Sequence, residues 1–379
     1  MEKKLKSWQG WLLFGGTMVV VFVLGMIAAS VNERHAEVTS VMNNKKTEIT
    51  GIEARNDKFE SNYPREYQTW EATADTSFKS LYNGNQAVDV LEARPEMVIL
   101  WAGYAFSKDY STPRGHMHAI EDMRNTLRVG APMTENEGPQ PATCWTCKSP
   151  DVPRMMQAMG VDNFYKGKWA SLGKEIMNPI GCADCHMPYK SEGGVKYSDH
   201  HIQSPLAMID RTCQVCHRES EETLRNNVYE RQNKANEMRY RLETELAKAH
   251  IEAKFAWDKG ATEDQMKDVL KLIRQAQWRW DFGVASHGGA FHAPQEIQRI
   301  LGNGLDKAMQ ARLATAKVLA KLGYTDDVPM PDFSTKEKAQ QYIGLDMAAE
   351  RTAKEKFLNT IVPQWVKEAQ ENNRLAKNI

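Results

Sequence analysis

The chain has 379 residues, 49 basic and 49 acidic side chains, and a pI near 7.1. This length is ample for a sizeable hydrophobic core. A formal net charge of zero gives no electrostatic argument for binding nucleic acid or an acidic surface, so partners must be inferred from local sites.

The amino-terminal residues are typical of an exported protein. Three lysines among the first six residues precede an apolar run from Trp11 to Ala29, which is long enough to cross a bilayer as a helix. We interpret residues 1–30 as a retained signal anchor, and the small residues at its end leave a cleaved signal peptide as the alternative. The polar residues 31–60 are then predicted to be a tether between membrane and domain.

The region 61–218 contains all six cysteines, arranged as three Cys-x-x-Cys pairs. Two cysteines at this spacing can form thioethers with one haem, and the residue that follows can then coordinate the iron. Zinc knuckles and dithiol sites use the same spacing, but the histidine that follows two of the pairs favours covalent haem c at those two, whereas the pair followed by lysine is by itself a weak signal. The pairs are Cys144 and Cys147 followed by Lys148, Cys182 and Cys185 followed by His186, and Cys213 and Cys216 followed by His217.

The sequence of region 219–379 is typical of long, charged helices. The segment from Ser220 to about Lys259 lacks proline and is followed by Gly260, which predicts one long helix with a glycine at its end. We therefore predict a mainly α-helical protein with very little strand.

Local capping patterns predict further helix starts in this region. Thr262 to Gln265 resembles a capping box, and Ser334 to Glu337 repeats the pattern. Pro294 suits the first turn of another helix, where its missing N–H costs no hydrogen bond.

The lysine motif and its surroundings resemble one known family. Cys144 to Val152 reads Cys-Trp-Thr-Cys-Lys-Ser-Pro-Asp-Val, which resembles the active-site haem motif of the ammonia-forming cytochrome c nitrite reductases. Nearly everything after about residue 60 matches that family. Further matching stretches are Pro113 to Met117, Arg124 to Arg128, Tyr197 to His200, Gln275 to Trp280, Ala285 to His287, His292 to Pro294 and Ser334 to Ala339.

The resemblance implies a multihaem cytochrome c that reduces nitrite to ammonia with six electrons. In the family the lysine-ligated iron has no protein ligand on its other side, which implies that Lys148 holds the catalytic haem and that nitrite binds opposite it. Arg128 matches the family's active-site arginine, which implies charge-assisted hydrogen bonds to the anion. Arg124, four residues earlier, is set aside as a nearby decoy.

One departure from the family is large, because the family carries five haems and this chain has attachment sites for three. The motif from Cys182 to His186 resembles the family's second haem motif on its amino-terminal side and the fourth on its carboxy-terminal side. We interpret this as an internal deletion of two haem motifs and roughly a hundred residues, with the family's active-site tyrosine and histidine and its calcium ligands. A naturally shortened protein and a sequence artefact between near-identical repeats are both open.

The deletion also leaves the pairing of distal histidine ligands with haems undetermined. The resemblance makes His200 the partner of the family's second haem and His292 the partner of its fourth, so both compete for the one haem on the fused motif. His116 matches the ligand of the missing third haem. The haem on Cys213 and Cys216 has lost its matching partner.

Two functions of different classes are compatible with these residues. The first is a periplasmic, membrane-tethered nitrite reductase that takes electrons from a quinol-oxidising cytochrome c. The second is a non-catalytic or impaired multihaem electron-transfer cytochrome. The resemblance also implies a homodimer formed through the long carboxy-terminal helices, and we expect no nucleic-acid partner.

Overall fold

The computed structural model describes residues 7–43, 46–49, 53–138, 141–181, 189–192 and 195–376. Within these ranges the regular secondary structure is mainly α-helical, as predicted, with one antiparallel hairpin of β1 (Tyr189–Glu192) and β2 (Val195–Ser198). The α-helices are α1 Ser7–Asn43, α2 Asp57–Glu60, α3 Pro64–Glu71, α4 Val90–Ala93, α5 Glu96–Leu100, α6 Ala119–Asn125, α7 Ala142–Trp145, α8 Asp151–Met159, α9 Val161–Lys166, α10 Trp169–Gly173, α11 Glu221–Asp258, α12 Glu263–Ala285, α13 Gly289–His292, α14 Pro294–Lys321, α15 Lys336–Tyr342 and α16 Met347–Glu371. Short 3₁₀ helices are Ala72–Ala74, Ala105–Ser107, His116–His118, Leu127–Val129 and Pro205–Ala207.

Helix α1 contains the apolar amino-terminal run. Its part from Ser7 to Ala36 is long and apolar enough to cross a membrane, and the described side chains there are almost all exposed. Such a helix near the start of a chain is compatible with either an anchor or a signal peptide.

The structure shows a helix and folded chain within the segment 31–60 that the sequence assigns to a tether. Helix α1 continues into it as far as Asn43, and the chain is already part of the folded protein near residue 54. Arg55 is only 4% exposed, and its Nη1 donates a hydrogen bond of 3.2 Å to the carbonyl oxygen of Asn373 near the other end of the chain. The folded part therefore begins several residues before position 61.

The three long helices α11, α12 and α14 pack against each other and form the larger hydrophobic core. Alanines and two glycines, Gly283 and Gly304, on their facing sides let the backbones approach closely. A Cβ atom at Gly304 would lie 2.8 Å from Cδ2 of Leu242, so α14 could not pack this closely on α11 with a larger residue. Burial of each large apolar side chain here contributes roughly 1.5–3 kcal/mol.

Most of the predicted helix ends are confirmed. Ser220 caps α11 by accepting from Thr223 N, and Gly260 follows the helix with a φ of +88°, which glycine adopts without strain. Thr262 and Gln265 form the predicted capping box, and Pro294 lies in the first turn of α14. One prediction is wrong: the N-cap of α15 is Thr335, which accepts from Lys338 N, rather than Ser334.

A second core lies beneath the lysine motif. Trp145 and Trp169 are fully buried there, and Phe357 and Trp365 of α16 pack against Trp169 with ring centroids 5.0 and 6.4 Å away. The carboxy-terminal helix therefore supports the part of the chain that carries the first cysteine pair.

Candidate functional site: the lysine and histidine cluster

The first cysteine pair lies on a short helical turn whose inner face is anchored by a tryptophan. Trp145, between the two cysteines, is completely buried in the second core, while Cys144 and Cys147 are exposed. Lys148 N donates to Trp145 O at 2.8 Å, so the turn continues through the half-buried lysine. The buried ring thereby holds the two thiols at the surface with the lysine directly after them.

The third pair has the same kind of local geometry. His217 N donates to Cys213 O at 2.9 Å, and Cys216 N donates to the same oxygen at 3.2 Å, which closes a turn around the motif. His217 is exposed, with Nδ1 3.8 Å from Oε2 of Glu219. The second pair, Cys182 and Cys185, and His186 lie outside the described residues.

The cysteines fit covalent attachment of haem c. All four that the structure describes are free thiols at Cys-x-x-Cys spacing, three of them are exposed, and each pair is followed at once by a nitrogen ligand. The described part of the chain contains no group of three or more His, Cys, Asp or Glu side chains placed to hold a metal ion.

One predicted histidine ligand, His116, lies near both Lys148 and His200. Burial lowers the pKa of His116, and the nearby positive charges of Lys148 and His200 lower this pKa further. His200 is 7% exposed. The tertiary structure thus brings three nitrogen-bearing side chains, separated by up to 84 positions in the sequence, into one neighbourhood.

Helix α3 and the 3₁₀ turn after it position both histidines. His200 N donates to Thr69 Oγ1 at 2.8 Å, and the neighbour of His116, Met117, donates through its N to Thr73 Oγ1 at 3.2 Å. Gly115 packs directly on this turn, because a Cβ atom at that position would lie 1.9 Å from Thr73 O. A residue larger than glycine at position 115 would therefore clash with Thr73, which explains the glycine before His116 in the matched Pro113 to Met117 stretch.

His292 lies on another part of the molecule. It ends the short helix α13, where it is exposed and its ring packs on Phe291 with centroids 4.6 Å apart. Arg231 of α11 donates to Phe291 O at 3.0 Å and so ties α13 to the long helices.

Arg128, the arginine matched to the family's active site, is half-buried against aromatic rings. Its guanidinium carbon lies 5.0 Å from the ring centroid of Tyr110 and 5.5 Å from that of Phe106, and Nε donates to Thr126 Oγ1 at 3.3 Å. Thr126 Oγ1 in turn donates to Asp109 Oδ2 at 2.9 Å. These contacts hold the guanidinium in one orientation, and cation–π contacts of this kind leave its N–H edge able to bind an anion.

Arg124, set aside in the sequence, contacts backbone rather than aromatic rings. Its Nη2 donates to Ile176 O at 3.2 Å, and its buried Nε has no hydrogen-bond partner among the described residues. Burial lowers its pKa to about 10, partly offset by the nearby Asp151. The sequence carried no signal for this difference, because both arginines occupy the same matched stretch.

A stretch that the sequence analysis did not single out contacts the lysine turn directly. Residues 175–181, here called the bridging segment, join the helices after the first cysteine pair to the second pair. Ile180 N donates to Lys148 O at 2.9 Å. The sequence signal nearest to this contact is Asp151, an acidic residue within the matched Cys144 to Val152 stretch whose carboxylate is buried in the structure.

Sequence comparisons place these features in a family. The family model described as cytochrome c552 matches residues 55–186 and 181–374, two matches that overlap only at 181–186. The chain is 76% identical to cytochrome c-552 of Parabacteroides distasonis over 494 aligned positions that cover 100% of both proteins, and 60% identical to that of Bacteroides fragilis over 492 positions with the same coverage. It is 34% identical to cytochrome c-552 of Aliarcobacter butzleri, over 95% of both chains.

A structural comparison agrees with the fold. Cytochrome c nitrite reductase from Desulfovibrio desulfuricans matches with a TM-score of 0.60 and 18% sequence identity, over 80% of this chain and 91% of that chain. At this identity the likeness concerns the fold alone. The extent of the family match and of the sequence identities shows that the chain belongs to the cytochrome c552 family, as the resemblance of its lysine motif predicted.

Proposed function

We propose that this protein is a periplasmic nitrite reductase that converts nitrite to ammonia at a haem c held by Cys144, Cys147 and Lys148. The observation that carries the proposal is the free cysteine pair on a rigid turn with a half-buried lysine in the ligand position. The related fold of a protein titled cytochrome c nitrite reductase supports it.

The side chains around the lysine turn have separate tasks in this proposal. When bound, haem c would supply one-electron redox chemistry at its iron. Cys144 and Cys147 would anchor the porphyrin, and Lys148 would give its amine nitrogen to the iron. Arg128, held flat by Phe106 and Tyr110, would attract nitrite and stabilise negative charge through charge-assisted hydrogen bonds.

The other two motifs would hold the haems that pass electrons inward. Their attachment residues are Cys182, Cys185 and His186 for one, and Cys213, Cys216 and His217 for the other. His116, His200 and His292 are the candidate distal ligands. The neighbourhood of His116 and His200 with Lys148 supports an electron path that ends at the lysine turn.

We further propose that the chain lacks an internal segment present in its relatives. Two observations support this. The two family-model matches meet inside the Cys182 to His186 motif, and the alignment with the Parabacteroides protein has 494 positions whereas this chain has 379 residues. The calcium ligands and two of the family's five haem motifs would lie in that segment.

The internal deletion keeps a second function open, that of an electron-transfer cytochrome without efficient turnover. Loss of the tyrosine and histidine that the resemblance assigns to the active site would weaken proton delivery and leave Arg128 to hold anionic intermediates there. The lysine ligand favours the first function, since an electron carrier has no need of an open coordination position.

The proposed function also implies an electron donor, a membrane attachment and a dimer interface. We propose a quinol-oxidising cytochrome c as electron donor and membrane attachment through α1, whose apolar part is exposed over Ser7 to Ala36. A homodimer through the long helices is supported by large apolar side chains exposed on α12 and α14. These are Leu270, Trp278, Phe282, Met309 and Leu313.

The test is nitrite turnover with a reduced viologen dye as electron source. Lys148→His should convert the open haem into an ordinary histidine-ligated one, change its high-spin spectrum and lower turnover at least tenfold. Lys166→His, on the exposed end of α9, is the matched control and should leave both unchanged. Equal activity and spectra in Lys148→His and wild type would exclude Lys148 as the ligand.

A further inference from the structure

We propose that Asp151 is a positioning residue for Lys148 and acts through the bridging segment. This inference rests on the proposed function, because it takes Lys148 as the ligand of the catalytic iron. Lys148 has a long, flexible side chain, so placement of its amine depends on how firmly its backbone is held.

The carboxylate of Asp151 is buried and fully used. It is 1% exposed, and its Oδ2 accepts hydrogen bonds from Met177 N and Asn178 N, each at 2.8 Å, and from Asn178 Nδ2 at 3.1 Å. Its Oδ1 accepts from Arg154 at 3.2 Å, which compensates the charge. A buried carboxylate with this many donors is costly to replace, because any neutral substitute leaves N–H groups without an acceptor.

The bridging segment, held by Asp151, is hydrogen-bonded to the lysine turn. Two residues beyond the part held by Asp151, Ile180 N donates to Lys148 O at 2.9 Å. Next to the lysine, Ser149 Oγ donates to Asn178 O at 2.6 Å. The backbone on both sides of the Lys148 carbonyl is thus fixed by a segment whose own position depends on Asp151.

The outer side of the bridging segment is closed by the end of the chain. Asn178 Nδ2 donates to Arg374 O at 2.8 Å, and Asn178 Oδ1 accepts from Ala376 N at 3.1 Å. On the opposite side, Trp70 Nε1 donates to Ile180 O at 2.9 Å. A segment held from three directions has little freedom, which suits a support for a metal ligand.

The experiment compares two buried carboxylates in the full chain. In Asp151→Asn an NH₂ group replaces one oxygen and faces either the two backbone N–H donors or the guanidinium of Arg154. In either orientation donor opposes donor and the negative charge is gone, so the support is weakened. Glu243→Gln is the matched control: Glu243 is completely buried and accepts from Arg94, Arg239 and Trp280, but it lies in the long-helix core. Both changes should lower the melting temperature.

Three readouts separate positioning from general stability. Asp151→Asn should speed amide exchange of the peptide covering 175–181 at least tenfold, shift the spectrum of the lysine-ligated haem, and weaken nitrite binding about tenfold. Glu243→Gln should change none of these three. The inference is overturned if exchange is unchanged, or if exchange rises while the haem spectrum and nitrite affinity stay as in wild type.

A weaker variant keeps the test usable if Asp151→Asn does not fold. Asn178→Ala leaves both backbone donors to Asp151 but removes the contacts with Arg374 and Ala376, and it should shift the same readouts in the same direction. Unchanged readouts in this variant would also overturn the inference. If Lys148→His leaves the wild-type spectrum unaltered, the proposed function fails separately, and amide exchange still reports whether Asp151 holds the turn.

Discussion

At the scale of single residues, the core beneath the lysine motif contains a buried cation without a carboxylate in hydrogen-bond contact. Lys354 is 4% exposed, and its Nζ donates to Arg124 O at 3.0 Å and also to Gly130 O. Its ammonium lies 5.2 Å from the ring centroid of Trp169. Burial lowers the pKa of Lys354 to about 8, against the weaker opposite effect of Asp109 and Glu350.

This lowered pKa predicts a specific dependence of stability on pH. The pKa of Lys354 in the unfolded chain is near 10.5, so between pH 8 and pH 10.5 the unfolded state binds more protons and the free energy of unfolding rises with pH. Below pH 8 Lys354 is protonated in both the folded and the unfolded chain. The full cost of burying its ammonium then lowers the free energy of unfolding. Relative to Lys354→Met, the wild type should gain up to about 3 kcal/mol across this window.

The measurement is urea unfolding of wild type and variant at pH 7.5, 9 and 10. Lys356→Met, on an exposed position of the same helix, is the control and should run parallel to wild type at every pH. Parallel curves for Lys354→Met as well would show that the buried amine has an ordinary pKa.

At the scale of elements, the start of helix α15 depends on which of two adjacent residues has the extended backbone conformation of an N-cap. Thr335 has φ −129° and ψ 159°, and its Oγ1 accepts from Lys338 N. Ser334, one position earlier, has an equally suitable hydroxyl, but this accepts only from the exposed Lys338 side chain. The backbone path before α15 therefore chooses between two adjacent candidates.

Alanine substitution distinguishes these two candidates. Thr335→Ala should lower the free energy of unfolding by about 1 kcal/mol, because a backbone N–H of α15 loses its acceptor. Ser334→Ala should change it by less than about 0.5 kcal/mol. The reverse order in denaturant unfolding would show that the helix begins one residue earlier in solution.

At the scale of the whole molecule, the first prediction concerns the number of haems. Six cysteines form three pairs with none left over, so the matured chain should carry three covalent haems. Intact-mass measurement gives the count directly, and Cys213→Ala with Cys216→Ala should carry two. Full alkylation of all six thiols after unfolding would contradict covalent attachment.

The second prediction at this scale concerns the products of nitrite reduction. With two haems fewer than the family's five and without its active-site tyrosine and histidine, electron and proton supply should lag, and partly reduced nitrogen should escape. Ammonia per nitrite consumed should fall clearly below one, with nitric oxide or hydroxylamine released. Near-complete ammonia formation at rates typical of the family would refute this expectation.

Local features of this protein could be read from the chain because their causes lie within a few residues. The capping box at Thr262, the glycine after α11 and the proline at the start of α14 each satisfy hydrogen bonds or backbone angles over one helical turn. The lysine motif identified the family in the same way, since its chemistry lies in consecutive residues.

Features that depend on distant contacts emerged only from the folded chain. The approach of His116 to Lys148 and His200 involves Thr69 of α3 and Thr73 of the 3₁₀ turn after it, both far from the histidines in sequence. Likewise, Asp151 reaches the lysine turn through backbone groups more than 25 positions away, which no periodicity or local motif encodes. Side-chain type can be read along a chain, but burial and hydrogen-bond partners are set by which segments pack together, because those contacts exist only once the core has formed.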